Sequence, residues 1–201
     1  MKRTTTKPEA AAKLATNLPA TPPQPASAYF MEERHDRTER HTLSVLVDNE
    51  PGVLARVVGL FSARSFNIES LTVAEVAHEG HLSRITIVTS GTPETVDQVR
   101  HQLERLVPVH SVTDLTLTTR AIERELAMVK VRGKGDARLE AMQLAEAFHA
   151  KVLDATTESF VFEITGAPRK IDDFVDLMRP IGLVEVSRTG VAAISRGPKG
   201  I

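Results

Sequence analysis

The chain has 201 residues, 41% hydrophobic and 25% charged, with a formal net charge of -1 at pH 7. Such proportions belong to a folded globular protein, and the balanced charge supplies no global field to hold nucleic acid or an anionic membrane. There is no cysteine, which excludes disulfides, thiolate–zinc centres and a cysteine nucleophile and suits a cytoplasmic home. Aromatics are scarce at 4%, with no tryptophan, so base-stacking surfaces are not offered.

Residues 1–40 differ from the rest. In residues 1–30, Pro8, Pro19, Pro22, Pro23 and Pro25 fall among alanine and threonine, and Lys2, Arg3, Lys7 and Lys13 face Glu9 alone. This composition predicts a disordered tail, followed by a charged connector from Glu32 to Arg40. A plastid or mitochondrial transit peptide is the alternative, and Met31 offers a second possible start. No apolar run is long enough to span a bilayer.

From His41 the pattern is regular. HTLSVLV alternates Leu43, Val45 and Val47 on one face, which predicts a strand. DNEPG (48–52) breaks it and opens a helix carrying Val53, Val57, Val58 and Phe61. Strands follow over NIESLTVAEV (67–76) and LSRITIVTS, joined by the turn AHEGH. A helix begins near Thr92 and Pro93, and VHSVTDLTL (109–117) returns as a strand. The second half repeats this order: a strand over ELAMVKV (125–131), then a helix near 138–150 bearing Leu139, Met142, Leu144, Ala145 and Phe148. The strands KVLDATT and SFVFEIT come next, then a helix between Pro168 and Pro180, and last the strand LVEVSRTG. Met142, Phe148, Phe174 and Met178 are expected in the core. The prediction is α+β, two ferredoxin-like βαββαβ domains over 41–119 and 120–201. A domain of about 80 residues buries only some 60–65% of its unfolded surface, so the uncovered sheet faces or edges favour a dimer.

The most informative turn is DNEPG. Pro51 has no N–H and Gly52 no Cβ, so the amides that follow are open donors at the positive end of a helix. A small carboxylate fits there. Asp48 and Glu50 would repel a phosphate but suit the ammonium of a zwitterion. Asn49 and Asn67 both donate and accept, and Val53 and Ile68 would flank an aliphatic side chain. On spacing alone, an ordinary turn capped by Asn49 is the simpler reading.

NEPGVLARVVGLFSARSFNIESLTV resembles the opening of the small regulatory subunits of acetolactate synthase, also called acetohydroxyacid synthase. Their first domain is an ACT domain, an amino-acid-sensing module of the same βαββαβ order. The likeness continues through LSRITIV, LVPVHSVTDLT and RELAMVKV to VEVSRTGVAAISRG, covering residues 41–197. GLFSARSFNIESLTV with RTGVAAISRG makes it specific.

The resemblance implies a non-catalytic partner of a large catalytic subunit carrying thiamine diphosphate, magnesium and FAD. That subunit condenses two pyruvates to 2-acetolactate with loss of CO2 and opens branched-chain amino-acid biosynthesis. This chain would hold no cofactor, activate the large subunit and confer feedback inhibition by valine or another branched-chain amino acid, bound where two ACT domains pair as a homodimer. Matched residue by residue, Asn49, Gly52, Val53 and Leu54 form the effector loop, with Asn67 and Ile68 facing it.

The rivals are weaker. GKGD (133–136) lacks the serine or threonine of a phosphate loop. His78 and His81 in HEGH fall one residue short of a zinc-protease helix motif, and no further ligands cluster nearby. Phe160 and Phe162 alternate as core rather than as an RNA-stacking pair. Arg188 and Arg196 are open to two readings, solvated or in contact with the large subunit. An ACT-type sensor serving another enzyme is the serious alternative, and RTGVAAISRG argues against it.

Overall fold

The computed structural model describes residues 38–77, 81–118, 121–198 and 200. The tail reading as far as residue 37 and residues 78–80 of the HEGH turn lie outside them; the connector expected to run to Arg40 ends earlier, because Glu39 and Arg40 already belong to the first strand.

The alternation in HTLSVLV becomes β1 (Glu39–Asp48), with Leu43, Val45 and Val47 buried. It pairs antiparallel with β3 (Leu82–Gly91), Leu43 facing Ile87 and Val45 facing Ile85. β2 (Ser70–Ala77) and β4 (Val109–Asp114) complete a sheet of order β2-β3-β1-β4. Two helices bury their apolar stripes on one face of it. α1 (Val53–Ala63) contributes Val53, Val57 and Phe61, and α2 (Pro93–Glu104) contributes Val96, Val99 and Leu103. Thr92 starts α2 as its cap, its hydroxyl accepting from the Thr95 amide at 3.3 Å, and Pro93 needs no acceptor in the first turn.

The last strand was expected to reach Leu117 but ends at Asp114, and Leu115–Thr118 form a single helical turn, α3. Asp114 is the reason. Its Oδ1 accepts from the Thr116 amide at 2.9 Å and turns the chain, while Oδ2 meets Nδ1 of the fully buried His41 at 2.7 Å. This pair fastens the start of β1 to the end of β4. Asp114→Asn keeps one acceptor oxygen for two donors, so it should cost about 1–3 kcal/mol for the group left unpaired. A lower urea midpoint at unchanged m-value would show it.

The second domain runs β5 (Ile122–Arg132), α4 (Asp136–Ala147), β6 (Lys151–Ala155), β7 (Ser159–Gly166), α5 (Pro168–Gly182) and β8 (Leu183–Arg188). The sheet order is β6-β7-β5-β8, and a short β9 (Ala192–Ile194) pairs with Ile122–Arg124. That pairing extends β5 three residues ahead of its expected start. Phe162, Phe174, Ile171 and Met178 centre a core separate from the first.

Two expectations fail here. Leu139 and Met142 are 64% and 39% exposed, because α4 turns its small residues Ala141 and Ala145 onto the sheet instead. Pro180 lies inside α5 rather than beyond it. Ile181, one residue further, still packs into the core, and that burial carries the helix past the hydrogen bond proline cannot donate. Of the remaining core candidates, Phe174 and Met178 are fully buried and Phe148 packs at the edge of the cluster.

Candidate functional site

The turn between β1 and α1 is anchored by its backbone. The Asp48 amide donates to the Pro108 carbonyl (2.9 Å) and the Asn49 amide to the His81 carbonyl (2.6 Å). Gly52 then precedes α1 with φ 90° and ψ -9°, a left-handed conformation in which its missing side chain matters. No side chain caps the helix, no acidic residue occupies its first turn, and nothing lies within 4 Å of where a Cβ at Gly52 would stand. The Val53 amide donates to the Glu50 carbonyl (3.5 Å), and the rest of the first turn meets no side-chain cap, an arrangement that suits a small carboxylate.

Around this opening the side chains divide. Asn49 is exposed and Leu54 is 41% exposed. Val53 is buried in the core. Asp48 and Glu50, the candidates for holding an ammonium, have partners within the chain. Asp48 Oδ1 meets His110 Nε2 at 2.7 Å, and Glu50 lies 3.8 Å from Arg56.

Asn67 and Ile68 are elsewhere. The Asn67 carbonyl accepts from Thr89 Oγ1 at 2.6 Å, and Ile68 packs against the first core. Thr89 stands opposite His41, seven residues along β1 from Asp48, a separation of roughly 20 Å at the rise of a strand. Within one chain, therefore, Asn67 and Ile68 do not face the Gly52 turn. They lead into β2, the open edge of the sheet, whose Val73 and Val76 are each 47% exposed.

Two family models match the chain. One, described as the small subunit of acetolactate synthase, covers residues 124–197, and the other, an AHAS small subunit-like ACT domain, covers 43–111. A probable acetolactate synthase small subunit from Archaeoglobus fulgidus is 44% identical over 80% of this chain and 99% of its own length. The acetolactate synthase small subunit of Mycolicibacterium smegmatis is 42% identical over 82% of this chain and 95% of its own.

The chain belongs to the small-subunit family of acetolactate synthase.

The crystal structure of that subunit from Thermotoga maritima superposes with a TM-score of 0.71 at 39% identity, over 80% of this chain and 99% of that one. The paired ferredoxin-like domains, the first an ACT domain, are thus the family's architecture. Among the described residues no helix is long and apolar enough to cross a membrane, and no group of three or more histidine, aspartate or glutamate side chains is placed to hold a metal.

The rival motifs resolve into structural parts. Lys134 of GKGD pairs with Glu158, and the Gly133 amide donates to the Glu158 carbonyl, closing a turn. Phe160 and Phe162 are core. Arg188 is engaged within its own chain. It makes a two-pronged pair with the buried Glu125 (2.7 and 2.6 Å) and a third bond to Asp172 (2.7 Å). Hydrogen bonding to Glu125, then to Asp172, holds its guanidinium above the usual arginine range against the opposing effect of burial. This network joins β5, α5 and β8. Sequence reasoning missed it because nothing in the spacing of Glu125, Asp172 and Arg188 brings them together before the strands are paired.

Proposed function

We propose that this chain is the activating, feedback-sensing subunit of an acetolactate synthase. It binds valine, or another branched-chain amino acid, at the β1–α1 turn of an effector domain spanning 41–119, and a regulatory domain over 120–201 follows. The client is the large catalytic subunit, which carries thiamine diphosphate, magnesium and FAD and forms 2-acetolactate. The chain itself supplies no catalytic group or cofactor. Its proposed home is the cytoplasm.

The observation that carries the reading is the uncapped, unobstructed start of α1 at Gly52, with the exposed Asn49 and Leu54 beside it. The separation of Asn67 and Ile68 from that turn fits the same reading if the site is shared. β2 runs parallel to β1, so its first residues lie at the far end of the sheet. Antiparallel pairing of β2 with β2 of a second copy, along the open edge, puts one chain's residues 67–68 beside the other chain's 49–54. A homodimer then holds two equivalent sites. The amides receive the carboxylate, asparagine side chains bind the backbone polar groups, and Leu54 and Ile68 flank the aliphatic side chain.

Calorimetric titration of the purified chain with valine tests this, beside Asn49→Ala and Val73→Lys. Saturable binding is expected for the wild type, weakened by about tenfold in Asn49→Ala, the equivalent of one good polar contact. Val73→Lys places a charge on the edge strand, so it should yield a monomer by analytical ultracentrifugation and lose binding with the dimer. Undiminished binding by a monomeric Val73→Lys would exclude the shared site. Absence of binding with valine, leucine and isoleucine would overturn sensing by this chain.

A further inference from the structure

The two domains are joined by more than the covalent chain. The loop Arg188–Val191 leaves β8 and reaches across to β2, where two side chains grip the N–H and C=O of a single residue. The Val191 amide donates to Ser70 Oγ (2.9 Å), and the Val191 carbonyl accepts from Thr72 Oγ1 (2.8 Å). Ser70 and Thr72 share one face of the strand, so together they satisfy both backbone polar groups of Val191, as a neighbouring strand otherwise would. Val191 is 2% exposed. Gly190 makes the approach possible, since a Cβ there would stand 2.8 Å from Ser70 Oγ and 3.0 Å from Thr72 Cγ2.

The other end of the loop is fixed to the second domain. Arg188 is locked to Glu125 and Asp172, and the Thr189 amide donates to the Leu126 carbonyl at 3.0 Å. A second link runs alongside: Glu123 accepts from Thr42 and Arg40, and Arg40 also reaches Glu69. Ser70 and Thr72 are thus the points at which β2 is held by a loop that is itself rigidly part of β5 and α5.

We propose that the Ser70/Thr72–Val191 clasp is the element that transmits occupancy of the effector site to the C-terminal domain, with Ser70, Thr72 and Gly190 as positioning residues. The inference rests on the effector reading above. Ser70 follows Ile68 by two residues, so an amino acid seated against Asn67 and Ile68 fixes the start of β2. Any displacement of that strand must either break the clasp or move the Arg188 loop, and with it Glu125 of β5 and Asp172 of α5. The effector shifts the holoenzyme only by its differential affinity for two states, and the clasp is where those states are told apart.

The test uses holoenzyme reconstituted with wild type, with Ser70→Ala/Thr72→Val, and with Gly190→Ala. The double variant removes both hydroxyls without adding bulk, which keeps the test informative should Gly190→Ala fail to fold. Valine should bind the free double variant within about twofold of wild type, as expected for sites that share no partner. The valine concentration giving half-inhibition should rise at least about tenfold, within the usual range of coupling energies. By reciprocity, assembly with the large subunit shifts the valine affinity of the wild type, and this shift should vanish in the variants. A residue that served stability alone would leave the shift intact. Thr72→Ser, which keeps its hydroxyl, should restore it. Equal inhibition of wild type and double variant would overturn the clasp, and so would parallel loss of binding and inhibition, which would make these residues part of the site itself. A wild type that neither binds valine nor is inhibited would instead refute the effector reading, and the clasp would fall with it.

Discussion

Phe174→Ala should destabilise the C-terminal domain by about 3–5 kcal/mol while leaving the ACT domain largely protected. Phe174 is fully buried on α5 and meets two rings, Phe162 edge-on at 6.3 Å between centroids and Phe148 tilted at 5.4 Å. Truncation removes the apolar area of the ring and leaves a cavity that Ile171, Val175 and Met178 on the same helix cannot collapse to fill. The two cores share no member, and among the described residues the link between the domains includes polar contacts from the 188–191 loop and Glu123 and the buried Val191 side chain. Amide exchange should therefore quicken by roughly two to four orders of magnitude in β5 and β7, the exchange equivalent of that cost. In β1 and β3 it should change by less than about tenfold. Equal loss in both sheets would mean that the chain unfolds as a single cooperative unit. In the holoenzyme, an ACT domain without an intact C-terminal domain would retain effector binding and lose its means of acting on the large subunit.

The order of elements was legible because the apolar residues repeat with unmixed periods. Leu43, Val45 and Val47 alternate, Val53, Val57 and Phe61 recur on one helical face, and Thr92–Pro93 marks a helix start on chemistry alone. What escaped was decided by contacts distant in sequence. β4 stops at Asp114 because that carboxylate finds His41, 73 residues earlier. β5 begins early because β9, near the other end of the domain, pairs with it. On α4 the periodicity admits more than one inward face. Ala141 and Ala145 take the inward face, leaving Leu139 and Met142 outside.

The site divided in the same way. The Gly52 turn was readable from Pro51 and Gly52, since one removes a donor and the other a side chain. The position of Asn67 and Ile68 was not, because it depends on β2 running parallel to β1, a property of topology that local spacing does not encode. Ser70 and Thr72 look like the ordinary polar face of an edge strand, and only the fold shows that Val191 lies against them. RTGVAAISRG stood out as a family signature without a physical role; in the structure its first residues are the arm that ties β8 to β2.

Gly52→Asp should yield a holoenzyme that is activated but no longer inhibited by valine. The substitution is sterically open, with nothing within 4 Å of the new Cβ, and aspartate tolerates a left-handed backbone better than most residues at a cost of about 1–2 kcal/mol. Its carboxylate would stand beside the first-turn amides of α1 and satisfy the helix dipole that the effector carboxylate would otherwise meet. The effector then loses an interaction worth up to about 2 kcal/mol in a partly buried site and gains a like charge as neighbour. Half-inhibition should therefore need at least about tenfold more valine, tenfold being 1.4 kcal/mol. Gly52→Asn, similar in shape and backbone preference but neutral, separates the two contributions: it should raise the requirement less than aspartate does. Activation should persist in both, because the turn lies outside the clasp and the C-terminal domain. The measurement is the valine dose response of reconstituted enzyme, read beside its uninhibited rate. If the aspartate variant is inhibited at the wild-type concentration, the effector carboxylate does not bind at the start of α1. If instead the uninhibited rate also collapses, the turn serves assembly with the large subunit as well as sensing.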